Sequence, residues 1–76
     1  MYQKKIYQKK IREILALQGY IGKYNPRHIE GYMRLKHSCL DGLSKQDFIN
    51  EVETCRQCIE QDGISSAESL AKSFGL

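Results

Sequence analysis

The sequence has no long apolar run. Its longest uninterrupted apolar stretch, Ile14 to Leu17, has four residues, whereas about 20 are needed to span a bilayer. Lysines interrupt the N-terminal region, so we also expect no apolar segment of the kind that signal peptides contain. The chain has three cysteines, an odd number, and without a secretion signal this count favours free thiols in a reducing compartment. We therefore expect a cytoplasmic protein that does not bind a membrane.

The sequence also lacks the motifs of common catalytic sites. No strand alternation is present, so no glycine-rich phosphate loop follows a strand, and Ser, His and Asp occur without the arrangement of a triad. A chain of 76 residues can bury one small core but not also a roomy substrate cavity. We therefore expect a protein that is not an enzyme and that uses no cofactor.

What the sequence does have is an uneven distribution of charge. Residues 1–36 contain nine Lys and Arg and two Glu, a net charge of +7, whereas residues 37–76 contain three Lys and Arg and seven Asp and Glu, a net charge of −4. All five tyrosines also lie in the basic part. Such a segment can hold phosphates and stack on bases, or it can pack beside the acidic half and be partly neutralised there.

The spacing of apolar residues predicts helices along the whole chain, and we expect an all-α bundle of three to four helices that forms a single domain over residues 1–76. Residues 1–24 are predicted to form a basic, tyrosine-rich helix, over residues 2–18, and a linker. The core face of this helix is expected to consist of Tyr7, Ile11, Ile14, Leu15 and Gln18. A basic stripe on another face consists of Lys5, Lys9 and Arg12.

Residues 25–63 are predicted to form a central antiparallel hairpin of two helices. In the first of these, Asn25 is a good N-cap and Pro26 suits the first helical position. We expect this second helix of the chain to reach about Leu40. The residues expected to mark one face of it are Ile29, Met33, Lys36 and Leu40, with Tyr32 and Cys39 beside that face.

The second helix also carries small and polar residues that suggest contacts. Glu30 and Arg34 are spaced for an i, i+4 ion pair, and Gly31 indicates a close crossing by another helix. Five residues of this helix are expected to form an exposed group: Arg27, His28, Tyr32, Arg34 and His37. The Arg and His residues near the helix start could contact an acidic partner or a phosphate, helped by the free N–H groups there. The alternative is an ordinary solvated face.

The rest of the chain is predicted to form two more helices. Ser44 is expected to cap a third helix, and the inward face of that helix is predicted to be Phe48, Val52, Cys55 and Ile59. Gly63 is expected to end it, with Ile64 folding back onto the last turn. Residues 64–76 are predicted to form a short C-terminal helix, opened by a capping box from Ser65 to Glu68. Its inward residues are expected to be Leu70, Ala71 and Phe74.

The turn between the second and third helices resembles the turn of DNA-binding helix-turn-helix motifs. The resemblance covers about 20 residues and rests on Gly42 to Ser44, with Ser38 before the turn and Phe48 at the position of an apolar anchor. It implies that the third helix would enter the major groove. That helix contains five acidic residues against only Lys45 and Arg56, and acidic side chains are repelled by the phosphates that line the groove.

Four residues of the hairpin are of the types that bind zinc: His37, Cys39, Cys55 and Cys58. An antiparallel hairpin could bring the two pairs together. However, Cys55 already belongs to the apolar face of the third helix, and buried structural cysteines are common. We therefore expect no bound metal and keep this site as the weaker alternative.

These observations favour a small, non-enzymatic interaction protein that acts through protein–protein contacts. The partner is expected to be another protein or a second copy of the chain, because the first helix has apolar residues to spare in Ile6, Leu17 and Ile21. The alternative is a nucleic-acid-binding protein whose basic residues hold phosphates while Tyr20 or Tyr24 stacks on bases. The candidate binding residues are Lys5, Lys9, Arg12, Tyr20, Lys23, Tyr24, Arg27, His28 and Arg34.

Overall fold

The computed structural model describes residues 4–76, with side chains from Ile6 onward. The helices are α1 (Lys4–Leu17), α2 (Pro26–Lys36), α3 (Lys45–Asp62) and α4 (Ile64–Ser73), and a short 3₁₀ helix (Leu40–Gly42) precedes α3. Residues 4–76 contain no β-strand, so the predicted all-α bundle is confirmed. The predicted start of the first helix at residue 2 and the side chain of Lys5 lie outside the described part.

Each helix buries one stripe of side chains in a common core, because apolar residues three and four positions apart lie on one face of a helix. The stripe of α3 consists of Phe48, Val52, Cys55 and Ile59, as the sequence predicts. The core residues of the other helices are Tyr7, Ile11, Leu15, Ile29, Tyr32, Met33, Ala67 and Ala71, and the 3₁₀ helix adds Leu40. Helices α2 and α3 each contact the other three helices, and α2 makes the more extensive contacts.

Two predicted helix caps are present. The side chain of Asn25 accepts a hydrogen bond of 2.9 Å from the N–H of Arg27. Ser44 Oγ accepts one of 3.1 Å from the N–H of Asp47 at the start of α3. Each bond satisfies an N–H group that has no partner within its own helix.

Helix α2 is shorter than the sequence predicts. It ends at Lys36, and His37 already has an extended backbone with φ of −132°. The residues after Lys36, which are His, Ser and Cys, have weak helix propensities. At the end of the helix, the side chain of Lys36 is exposed and forms an ion pair of 3.2 Å with Glu51 of α3. Leu40 is still buried, but from the 3₁₀ helix.

The junction between α3 and α4 also differs from the prediction. Gly63, with a positive φ of 93°, joins the two helices directly, a conformation that glycine adopts without steric cost. Ser65 is then already inside α4, which begins at Ile64 and has no side-chain cap, so the predicted capping box is wrong. Ile64 is 69 % exposed and does not fold back. Phe74, predicted to face inward, is 39 % exposed at the end of α4.

No helix within residues 4–76 combines the length and the apolar character that crossing a membrane requires.

Candidate interaction surfaces

A groove between α1 and α3 is lined mainly by apolar side chains. Its volume is about 480 Å³. The apolar side chains that line it are Ile14, Leu17, Leu43, Phe48 and Ile49, and the charged side chains at its rim are Lys10, Glu13 and Lys45. We call this surface the α1–α3 groove. It exists because the core of so small a domain covers only part of the apolar side chains.

One wall of the groove is formed by the end of α1. Leu17, the last residue of α1, is 88 % exposed. Elsewhere in the groove Lys10 covers the ring of Phe48, because its ammonium nitrogen lies 4.6 Å from the centre of that ring. This cation–π contact shields part of Phe48 from water, while Leu17 has no comparable cover.

A second cleft, of about 800 Å³, lies where the α1–α2 linker meets the α3–α4 junction. Its lining includes charges of both signs, Lys23 and Glu60, together with His28 and the exposed side chain of Ile64. Apart from Ile59 and Ile64, most of its lining residues are polar or glycine. The α1–α3 groove, which five apolar side chains line, is therefore the better candidate for an apolar partner.

The structure describes two of the three side chains in the predicted basic stripe of α1. The side chain of Lys5 lies outside the described part, whereas Lys9 and Arg12 are exposed, as is Lys23 in the linker after α1. None of these three side chains forms an ion pair among residues 6–76. Lys9 and Arg12 therefore remain able to hold an anion.

Tyr20 and Tyr24 do not present free rings for base stacking. The guanidinium of Arg56 lies 4.5 Å from the centre of the Tyr20 ring and 5.8 Å from that of Tyr24. The two rings contact each other edge to face at 5.5 Å. The hydroxyl of Tyr24 donates to Glu60, and Arg56 donates to Glu53. These tyrosines thus contact side chains of α3 within the same chain, in a cluster that includes Glu53 and Glu60.

Arg27 and His28 hold α4 against α2 and are not a free binding face. Arg27 donates two hydrogen bonds to the carboxylate of Glu68, at 3.0 and 3.1 Å, and two more to the main-chain oxygen of Leu76. His28 Nε2 lies 2.8 Å from Glu68 Oε1. The expected exposure of His28 and of Tyr32 is wrong, since only 6 % and 7 % of them are accessible. Arg27, and to a lesser degree His28, lowers the pKa of Glu68 to about 2.

Arg34 is also paired with an acidic residue of the same chain. The predicted pair with Glu30 is confirmed: Arg34 Nε and Nη2 lie 2.9 and 2.8 Å from Glu30 Oε2. The Arg34 guanidinium stacks 5.5 Å from the centre of the Tyr7 ring, whose hydroxyl donates to Asp41. Glu30 itself is fully buried, which sequence spacing did not predict. The one sequence feature that could have indicated this burial is Arg34, four residues after Glu30, because a carboxylate is rarely buried without a paired cation.

The four residues of the alternative zinc site are not brought together. Cys39 is exposed, Cys55 is fully buried and Cys58 is half-buried, while His37 lies 3.2 Å from Glu51. Within the described residues, no group of three or more His, Cys, Asp or Glu is placed to hold a metal ion. Burial raises the pKa of Cys55 to about 12, so this thiol stays protonated and is a poor ligand and nucleophile.

Comparison with known proteins finds no matching family model, no matching curated protein and no matching solved structure.

Proposed function

We propose that this chain is a small, non-enzymatic interaction protein that binds another protein chain in the α1–α3 groove. The observation that carries the proposal is the groove itself, in which Leu17 is 88 % exposed beside the apolar side chains of Ile14 and Ile49. Each Å² of apolar surface removed from water contributes about 25 cal/mol. An amphipathic segment of a partner would cover these side chains in the manner of a helix in a groove.

The ion pairs formed by the arginines of α2 also support this proposal. Arg27 and Arg34, the arginines of the predicted second-helix site, are paired with Glu68 and Glu30. Their charges stabilise the bundle, so they are less available to a partner. All three cysteines are free thiols, which supports a reducing compartment such as the cytoplasm as the place where the protein acts.

The test uses groove variants in a pull-down from a lysate of the source organism. Leu17→Glu and Ile49→Glu place a charge in the groove, and we expect both to lose the proteins that the wild type retains. Leu35→Glu is the matched control, because Leu35 is 62 % exposed on α2 and does not line the groove. Circular dichroism checks that all variants are folded. Proteins retained equally by the wild type and both groove variants would contradict the proposal.

The second candidate function, nucleic-acid binding, is favoured by one observation. Lys9, Arg12 and Lys23 are exposed and form no ion pair within residues 6–76. Fluorescence anisotropy with labelled single- and double-stranded nucleic acid, at about 50 and about 200 mM salt, tests it. Affinity that falls steeply with salt, and falls again in Lys9→Gln and Arg12→Gln but not in the exposed control Lys72→Gln, would support it. The absence of binding at the lower salt concentration would remove it.

A further inference from the structure

The exposed side of α1 carries a second regular stripe beside the groove. Ile6, Lys10, Glu13 and Leu17 follow one another at spacings of four, three and four residues, which places them along one line of the helix surface. All four are exposed, Ile6 by 54 % and Leu17 by 88 %. We call these four residues the outer stripe. Three of them also line the α1–α3 groove, so the stripe and the groove form one continuous surface.

The outer stripe is complementary to a reversed copy of itself. When two copies of α1 lie antiparallel and cross between positions 11 and 12, Ile6 of each copy faces Leu17 of the other. In the same register, Lys10 of each copy faces Glu13 of the other. A two-fold axis repeats both pairs, which gives two apolar contacts at the ends and two contacts between opposite charges in the middle.

The charges also exclude the parallel arrangement. In a parallel pair in register, Lys10 would face Lys10 and Glu13 would face Glu13, and like charges at such positions are destabilising. The 4-3-4 spacing is that of residues at a helix–helix seam, where the central charged residues reduce affinity but determine the orientation and register of the helices. Arg12 lies on the helix surface away from this line, whereas Lys9 flanks it, three residues after Ile6 and four before Glu13. The long side chain of Lys9 can reach water from this position, so the seam does not require its burial.

From this charge complementarity we infer that the occupant of the α1–α3 groove is a second copy of the chain, bound antiparallel through the two outer stripes about a two-fold axis. The inference rests on the proposed function, because it names the partner of the same groove. The partner's α1 would cover Leu17 and lie beside Leu43 and Ile49, which the single chain leaves accessible. A contact built on one helix face is small, so we expect a dissociation constant between about 1 μM and about 1 mM.

Sedimentation equilibrium of the full chain, between about 5 and about 500 μM, tests the inference. The wild type should pass from monomer to dimer over this range. Lys10→Glu and Glu13→Lys each replace both attractive pairs by like charges, and each should weaken self-association at least about tenfold. The double variant Lys10→Glu/Glu13→Lys exchanges the two charges and should restore association to within about threefold of the wild type.

Mixing the two single variants gives the sharpest result. An equal mixture of Lys10→Glu and Glu13→Lys contains only opposite-charge pairs between unlike chains, so the mixture should form heterodimers although neither variant associates alone. Leu17→Glu should remain monomeric, and Leu35→Glu should behave as the wild type. Leu17→Glu keeps the test valid if Lys10→Glu is destabilised through loss of the Phe48 contact.

The contrary outcomes separate this inference from the proposed function. A wild type that is monomeric at all concentrations, or charge reversals that leave its dimer unaffected, would overturn the inference. If the chain is monomeric while Leu17→Glu and Ile49→Glu still lose a captured protein, the groove binds a different partner and the proposed function stands. If the groove variants change neither self-association nor capture, both are wrong.

Discussion

Gly31 determines how closely α2 and α4 approach each other, and it does so through the absence of a side chain. A Cβ atom at this position would lie 3.3 Å from Cα and 3.4 Å from N of Ala71. These are main-chain atoms, which cannot rotate away as a flexible side chain would. The facing residue Ala71 is also small and fully buried. Two small residues in register therefore bring the helix backbones into direct contact.

This contact predicts the effect of enlarging Gly31. Gly31→Val should lower the free energy of unfolding by about 1–3 kcal/mol, because α4 has to move outward. Gly31→Ala should cost less, since alanine gains about 1 kcal/mol of helix propensity over glycine. Urea denaturation measures both. Gly42→Ala is the control: its Cβ would meet no atom within 4 Å, so we expect a change below about 0.5 kcal/mol. Wild-type stability in Gly31→Val would contradict the close crossing.

Tyr32 is a second residue whose surroundings determine a measurable property. It is only 7 % exposed, and its hydroxyl donates a hydrogen bond of 2.8 Å to Asp62. Burial, and next the hydrogen bond to Asp62, raise the pKa of Tyr32 from 10.0 to about 12. In the unfolded chain the phenol ionises near its ordinary pKa, whereas the folded chain keeps the phenol neutral.

The raised pKa predicts a loss of stability at alkaline pH. Below pH 10 the contribution of Tyr32 is fully present, and it is lost as the pH rises from 10 to about 12, with a slope of up to about 1.4 kcal/mol per pH unit. Tyr32→Phe should remove this part of the pH dependence, as urea denaturation at several pH values would show. Asp62→Asn should keep the part that burial causes and lose the part that the Asp62 carboxylate causes. Equal slopes for the wild type and Tyr32→Phe would contradict the assignment.

Whole helices differ in how well the sequence predicts them. The buried face of α3 was predicted in full, because its four residues follow a local 4-3-4 spacing that needs no knowledge of the rest of the chain. The end of α2 was not predicted. It depends on Lys36 and His37 reaching Glu51 of α3, and on Leu40 filling the core from a 3₁₀ helix. Tertiary contacts therefore determine where α2 ends, and the local spacing of residues does not show these contacts.

The start of α4 shows the same limit of local patterns. The order of Ser65 and Glu68 is that of a capping box, yet Glu68 binds Arg27 and His28, which lie 41 and 40 positions earlier in the sequence. A bidentate arginine pair is stronger than a hydrogen bond to a helix-start N–H group. The carboxylate therefore fastens α4 to α2 instead of capping its own helix.

The two serine positions at helix starts should respond differently to mutation. Ser44→Ala removes the hydrogen bond to the N–H of Asp47 and should cost about 1 kcal/mol of unfolding free energy. Ser65→Ala removes no cap and should change stability by less than about 0.5 kcal/mol. Urea denaturation of both variants under one set of conditions gives the comparison. Equal decreases of the unfolding free energy in the two variants would indicate that Ser65 caps α4 after all.

For the whole molecule, the core is complete within one chain. The radius of gyration of 11.3 Å is close to the value of about 11 Å expected for a compact chain of this length. The buried residues from all four helices form one cluster. A single copy therefore has the contacts it needs to fold, and any partner in the α1–α3 groove adds stability to an already folded chain.

The sequence anticipated part of the candidate surface. It indicated that Ile6, Leu17 and Ile21 exceed what the core can take, and all three are more than half exposed. It did not indicate the groove, because Ile14 of α1 and Ile49 of α3 line it together, and local spacing does not show which distant parts of the chain meet. It also assigned Arg27 and Arg34 to binding, since a single sequence does not show which acidic residues will neutralise them.

Self-association predicts that thermal stability depends on protein concentration. A folded dimer is favoured by mass action, so the wild-type melting temperature should rise as the concentration increases from about 5 to about 500 μM, with at most about 1.4 kcal/mol of added stability per tenfold increase. Differential scanning calorimetry measures this shift. Leu17→Glu should melt at one temperature throughout the range, whereas Leu35→Glu should follow the wild type. A wild-type melting temperature that is as constant as that of Leu17→Glu would mean that no second copy covers the α1–α3 groove, because covering it must stabilise the folded state.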